Sequence, residues 1–128
     1  MQPSQSSIYR QLELLSLWSV RVANRTPKDF GLREMVGAMI REILDAIRAC
    51  ALALQEHDAK SRLTLIETLA YHLTLVKSTS KVLIEWSSQK GQTIRIISEP
   101  QRQELLRMMT QLGQDIGRWR NKTAQNLD

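Results

Sequence analysis

The feature that most constrains this chain is a set of apolar residues that recur at helical spacing in four separate segments. No segment shows the clean two-residue alternation of a half-buried strand. In the first segment, residues 7–23, Ile8, Leu12, Leu15, Val22 and Ala23 share one face. The second, residues 30–55, carries Leu32, Val36, Met39, Ile40, Ile43, Ile47, Cys50 and Leu54. The third, residues 58–86, carries Leu65, Ile66, Leu69, Leu73, Val76, Leu83 and Ile84. The fourth, residues 98–121, carries Leu105, Met109, Leu112, Ile116 and Trp119.

The connections agree with that division. "NRTPKDFG" is punctuated by Pro27 and Gly31, and "EHD" is a short link with Asp58 placed to cap the third helix. "SSQKGQTIRII" is the longest gap and contains the flexible Gly91. Ser98, followed three residues later by Gln101, has the spacing of a capping box, and Pro100 falls in the first turn, where a missing N–H costs little. The last residues, "TAQNLD", are expected to fray. Four amphipathic helices, with a third link that is longer than the others but forces no long crossover, predict a single domain, 1–128, that is all-α: an antiparallel up-down-up-down four-helix bundle.

Two glycines interrupt the fourth helix. Gly113 and Gly117 each cost about 1 kcal/mol relative to Ala in a helix interior. With Leu106 they line up beside the apolar stripe, where small residues let another backbone approach, either a neighbouring helix or a second subunit. Trp119 follows within the stripe.

Some apolar residues exceed what one core requires. Tyr71, Leu75, Val82 and Trp86 gather on the third helix away from its stripe, and Leu14, Leu17 and Trp18 do so on the first. A second apolar face bearing Trp and Tyr is expected at a protein interface, and a homo-oligomer is predicted from it.

Charge points to a different partner. Eighteen basic residues, twelve of them Arg, oppose thirteen acidic ones, for a net charge of +5. The isoelectric point near 9.8 is in the range that suggests nucleic acid. Arg10 and Arg21, Arg41 and Arg48, and Arg107 and Arg118 each recur on one helix face. Lys77 and Lys81 add to the third helix, Arg25 and Lys28 to the first loop, and Arg120 and Lys122 to the C-terminal end. An Arg fork suits phosphate because it can bind two oxygens at once. The same residues also serve as solvated helix surface, and those near residue 120 as compensation for the helix dipole.

Catalytic patterns are missing from the sequence. His57 and His72 start no metal-binding spacing on a helix, and most Glu residues fall on polar faces, so no metal is predicted. Cys50 lies on the core stripe as a small hydrophobe, and as the single cysteine it forms no intramolecular disulfide. No phosphate-cradling glycine loop or dinucleotide fingerprint is present. The chain is therefore predicted to be no enzyme, with no cofactor and no small-molecule substrate. The polar "MQPSQSS" start and the lack of a long uncharged apolar run predict a cytoplasmic protein with no membrane partner.

Three stretches carry a family resemblance: "TPKDFGLREMVGAMIREILDAIRACALA", "YHLTLVKSTSKVLIEW" and "ISEPQRQELLRMMTQLGQDIGRWRN". They resemble the four-helix-bundle family of ribosomal RNA intervening-sequence proteins, which also contains the accessory variability determinant (Avd) of diversity-generating retroelements. The resemblance spans residues 8–120. It implies a non-enzymatic subunit assembled as a pentameric barrel, binding a reverse transcriptase and nucleic acid, either RNA alone or RNA and DNA. Such a complex supports mutagenic complementary-DNA synthesis. Under it, Gly113 and Gly117 allow tight packing, Trp119 locks the helix end, and Arg118 and Arg120 face nucleic acid or the polymerase. Two other readings stay open: an oligomeric protein-interaction bundle without nucleic-acid binding, and a bundle enzyme or cofactor carrier. The branch of the family, retroelement or intervening-sequence, also stays open.

Overall fold

The computed structural model describes residues 3–87, 89 and 95–127, with side chains from Ser7 onward. The chain forms four α-helices: α1 (Pro3–Arg25), α2 (Phe30–Gln55), α3 (Ala59–Ser87) and α4 (Glu99–Ala124), and no strand occurs among the described residues. α1 packs on α2 and α4, and α3 also packs on α2 and α4, so each helix has two neighbours around one core. The all-α architecture of four helices is as predicted, and the helix bounds lie within a few residues of the periodicity. α1 starts earlier than expected. α4 runs on to Ala124 because Thr123, expected in the frayed tail, is buried.

The helix starts are chemically specified. Asp29 Oδ1 accepts the Leu32 N–H at 3.0 Å to cap α2. Asp58 Oδ2 accepts the Ser61 N–H at 2.9 Å at the start of α3. At α4 the capping box is complete: Ser98 Oγ accepts from the Gln101 N–H at 3.3 Å, and Gln101 Oε1 accepts from the Ser98 N–H at 3.0 Å. The α2–α3 turn is tied from the far side. Arg62 donates through Nε and Nη2 to the Glu56 carbonyl, at 2.9 and 2.6 Å.

The core contains the predicted stripes and several residues that they omit. α2 buries Ala46, Ala49 and Ala53 among its larger residues. These short side chains let the facing helix approach closely. The long α3–α4 link contributes Ile96 and Ile97, which are fully buried and nearly so. The Ile96 N–H donates to Ser87 Oγ at 3.1 Å, and Ser87 in turn donates to the Leu83 carbonyl at 3.0 Å. A hydroxyl at the end of α3 therefore satisfies a buried amide of the link. Gly91 lies outside the described residues.

Trp18 corrects the predicted oligomer face. It is completely buried, and its Nε1–H donates to the Gln101 carbonyl at 3.0 Å. The physical reason is the width of the α1 stripe. A helix with neighbours on two sides buries a broad arc, and Trp18 and Ser19 both fall inside it. Ser19 is accommodated by donating to the Ser16 carbonyl at 2.6 Å. Trp86 is likewise partly buried against the core, and Leu75 is half-buried.

The glycines bring a second correction. A Cβ added at Gly113 or Gly117 would meet nothing within 4 Å. No close helix approach within the chain therefore requires either one, although both lie on α4 as placed. Trp119 is buried in the core as expected.

Candidate nucleic-acid and partner interface

The structure sorts the predicted basic residues by what already holds them. Arg10 pairs with Glu13 at 3.7 Å, Arg21 with Glu104 at 2.8 Å, Arg48 with Asp45 at 3.0 Å, and Arg120 with Glu67 at 3.3 Å. Arg118 pairs with Asp115. Arg25 donates to the Arg95 carbonyl at 3.5 Å, which holds the end of α1 against the link. Lys28, Arg41, Lys77, Lys81, Arg107 and Lys122 are exposed, and among the described residues no carboxylate pairs with them.

The exposed pairs are weak partners. Both members of Arg10–Glu13 and Arg120–Glu67 lie about half in solvent, where such a pair is worth about 0–1 kcal/mol. A phosphate could displace those carboxylates at little cost. Arg118 differs because its partner Asp115 is buried. Asp115 also accepts from Gln11 Nε2 at 2.8 Å and Gln111 Nε2 at 3.1 Å. Burial would raise its carboxyl, but the hydrogen bonds from Gln11, Gln111 and Arg118, with the Arg118 charge, outweigh burial and hold it below the usual carboxylate range. This knot joins α1 to α4, so Arg118 acts structurally as well as electrostatically.

Arg33 is not among the basic residues that recur on a helix face in the sequence, yet it belongs to the same surface. It is exposed, has no carboxylate partner among the described residues, and lines a groove of about 280 Å³ with Ala23, Thr26, Val36, Gly37 and Ile40. The guanidinium of Arg41 reaches back over Gly37 on the same stretch of helix, 3.5 Å from where a Cβ would stand. A signal was available, since Arg33 and Arg41 are eight residues apart and hence close to one face. A wider groove of about 460 Å³ lies between α1 and α4, lined by Ser7, Gln11, Arg107, Met108, Gln111 and Asp115.

The predicted oligomer face is reduced to Leu14, Leu17, Tyr71 and Val82, all well exposed, with Leu75 half-buried. Val20 and Leu106, 47% and 49% exposed, extend the apolar surface on α1 and α4.

Chemistry of other kinds has few footholds. Burial pushes the Cys50 thiol up to about 12, which keeps it protonated and poorly nucleophilic near neutrality. Glu42, Asp45 and His72 do come together: their ligand atoms lie within 4.8 Å of one another, and His72 Nδ1 stands 2.6 Å from Glu42 Oε2. No local motif marks this cluster, because His72 is contributed by a different helix. Among the described residues no helix is long and apolar enough to cross a membrane. No family model, curated protein or solved structure matches the chain.

Proposed function

We propose that this chain is a non-enzymatic, homo-oligomeric accessory subunit of a diversity-generating retroelement. In this reading it engages a reverse transcriptase and its template RNA through a basic surface and supports mutagenic complementary-DNA synthesis. The observation that carries the reading is the set of exposed cations without a carboxylate salt bridge among the described residues: Arg25, Lys28, Arg33, Arg41, Lys60, Lys77, Lys81, Arg95, Arg107 and Lys122. Cations left without a carboxylate partner keep their full charge for phosphate, which supplies affinity and salt dependence more than sequence preference. The three Avd-like stretches give the reading its partner.

The proposed subunit is an antiparallel up-down-up-down bundle. Contacts between α1 and the α4 side support that direction, since Gln11 meets Asp115, Arg21 meets Glu104 and Arg25 meets the Arg95 carbonyl. The partner number falls as the α1 number rises. With α2 and α3 taken as antiparallel too, a register centred on the Glu42–His72 contact brings Arg33 roughly level with Lys81, so that Arg33, Arg41, Lys77 and Lys81 share one half of the bundle while Arg48, Lys60 and Arg62 fall in the other.

A second reading, an oligomeric protein-interaction bundle without nucleic-acid binding, is favoured by the exposed Leu14, Leu17, Tyr71 and Val82. One experiment separates the two. The tagged chain is co-expressed with a retroelement reverse transcriptase and purified in moderate salt. A stoichiometric complex containing polymerase and RNA is the expected result. A homo-oligomer carrying neither would overturn the accessory-subunit reading in favour of the second.

A further inference from the structure

We infer that Glu42, Asp45 and His72 form a binding site for a divalent transition-metal ion of the zinc class, which would cross-link α2 to α3. The inference is independent of the accessory-subunit reading. Glu42 and Asp45 are one turn apart on α2, so both carboxylates leave the same side of the helix. His72 on α3 completes the set, with all three ligand atoms within 4.8 Å of one another. Around a tetrahedral zinc with bonds of about 2.1 Å, ligand atoms stand about 3.4 Å apart. Closing the cluster therefore asks for about 1.4 Å of side-chain movement at most. His72 Nδ1 and Glu42 Oε2, now 2.6 Å apart, open slightly, and the Asp45 carboxylate swings inward.

The donor chemistry selects the ion. One imidazole nitrogen and two carboxylate oxygens suit zinc and its first-row neighbours, whereas calcium and magnesium seek six or more oxygens. The side chains of Glu42 and His72 are about three-quarters buried, which limits their freedom, while Asp45 is 42% exposed and leaves one side of the site open to water. Arg48, 3.0 Å from Asp45, already places a cation at the rim of this acidic pair. Because Arg48 is 74% exposed, it can swing away when an ion enters. The edge of the Tyr71 ring meets His72, with centroids 5.6 Å apart, and helps to fix the imidazole.

The other histidine supplies the control. His57 is exposed in the turn between Glu56 and Asp58 and would bind zinc without help from the α2–α3 pair. The test is calorimetric titration of the full-length, chelator-treated protein with zinc chloride, repeated with magnesium, with cobalt absorption reporting the coordination geometry. The expected result is one zinc per chain, no magnesium binding, and retention in His57→Ala. Affinity should fall by more than about 100-fold in His72→Ala, beyond the 10–100-fold typical of residues that only support a ligand. Asp45→Asn, at a half-exposed position, gives a second variant whose folding is not in question and should weaken zinc at least tenfold. Zinc binding that is absent, that survives both Asp45→Asn and His72→Ala unchanged, or that disappears in His57→Ala would overturn the assignment.

Discussion

One buried carboxylate joins α1 to α4 beside their shared apolar core. Asp115 is buried, yet it accepts hydrogen bonds from Gln11, Gln111 and Arg118, one from another helix and two from its own. Hydrogen bonds to a charged acceptor contribute about 1.5–3 kcal/mol, and a donor left buried and unmatched costs comparably. Asp115→Asn keeps the shape but replaces one acceptor with an NH₂ group facing donors. The expected loss is about 2 kcal/mol, or roughly 8 °C in the thermal midpoint. The pH dependence has a fixed sign. The folded carboxyl lies below its ordinary value of 3.8, so its stabilisation is complete above that value and disappears as pH falls through the lower folded value. Thermal melts should therefore separate wild type from Asp115→Asn at neutral pH and bring them together in strong acid. A gap that persists in strong acid would mean that packing, not charge, is what the substitution removes.

At the scale of a helix, α4 poses the sharper question, because two glycines weaken it where the chain has no use for them. A methyl group at either position meets nothing within 4 Å. Gly113→Ala and Gly117→Ala should each stabilise the isolated chain by about 0.5–1 kcal/mol, by lowering the entropy of the unfolded state and raising helix propensity. Chemical denaturation checks the sign directly. If the glycines instead admit a second subunit or the polymerase, the same variants fold more stably and assemble less well, and sedimentation beside denaturation distinguishes the two effects. The helices show what a sequence makes legible. Their number, extent and capping residues follow from periodicity and local chemistry, as at Ser98 and Gln101. Trp18 was misplaced because it lies roughly 80° from the centre of the α1 stripe at 100° per residue, and only packing from two neighbours decides that such a flank is buried. Ile96 and Ile97 were read as link because two apolar residues carry no period. The cluster of Glu42, Asp45 and His72 was invisible for a related reason: its members become neighbours only when α2 and α3 pack. The basic residues were legible as a set, but their pairing was not, since it depends on which carboxylates the fold brings within reach.

For the molecule as a whole, that pairing decides how much of the +5 charge is available to a polyanion. A cation already facing a carboxylate contributes less new attraction when phosphate arrives than one facing only water. Under the proposed nucleic-acid reading, the unpaired Lys77 and Lys81 on α3 should therefore dominate binding over the paired Arg10 on α1. For single-stranded RNA, each phosphate neutralised contributes about 0.7 to the slope of log affinity against log salt. The double variant Lys77→Gln/Lys81→Gln should reduce that slope by about 1.4 if both residues meet phosphate, whereas Arg10→Gln should change it little. Neutral replacements are preferable to charge reversals because they remove a contact without adding repulsion. Fluorescence anisotropy with a labelled single-stranded RNA, measured across a salt series on folded protein of known oligomeric state, reads both slopes. In an oligomer the change multiplies with each copy that touches the strand, so the slope also reports how many subunits one RNA spans. Equal slopes for wild type and the lysine variant would show that the α3 cations face solvent alone. The basic surface would then have to be sought on α2 and α4, around Arg33, Arg41 and Arg107.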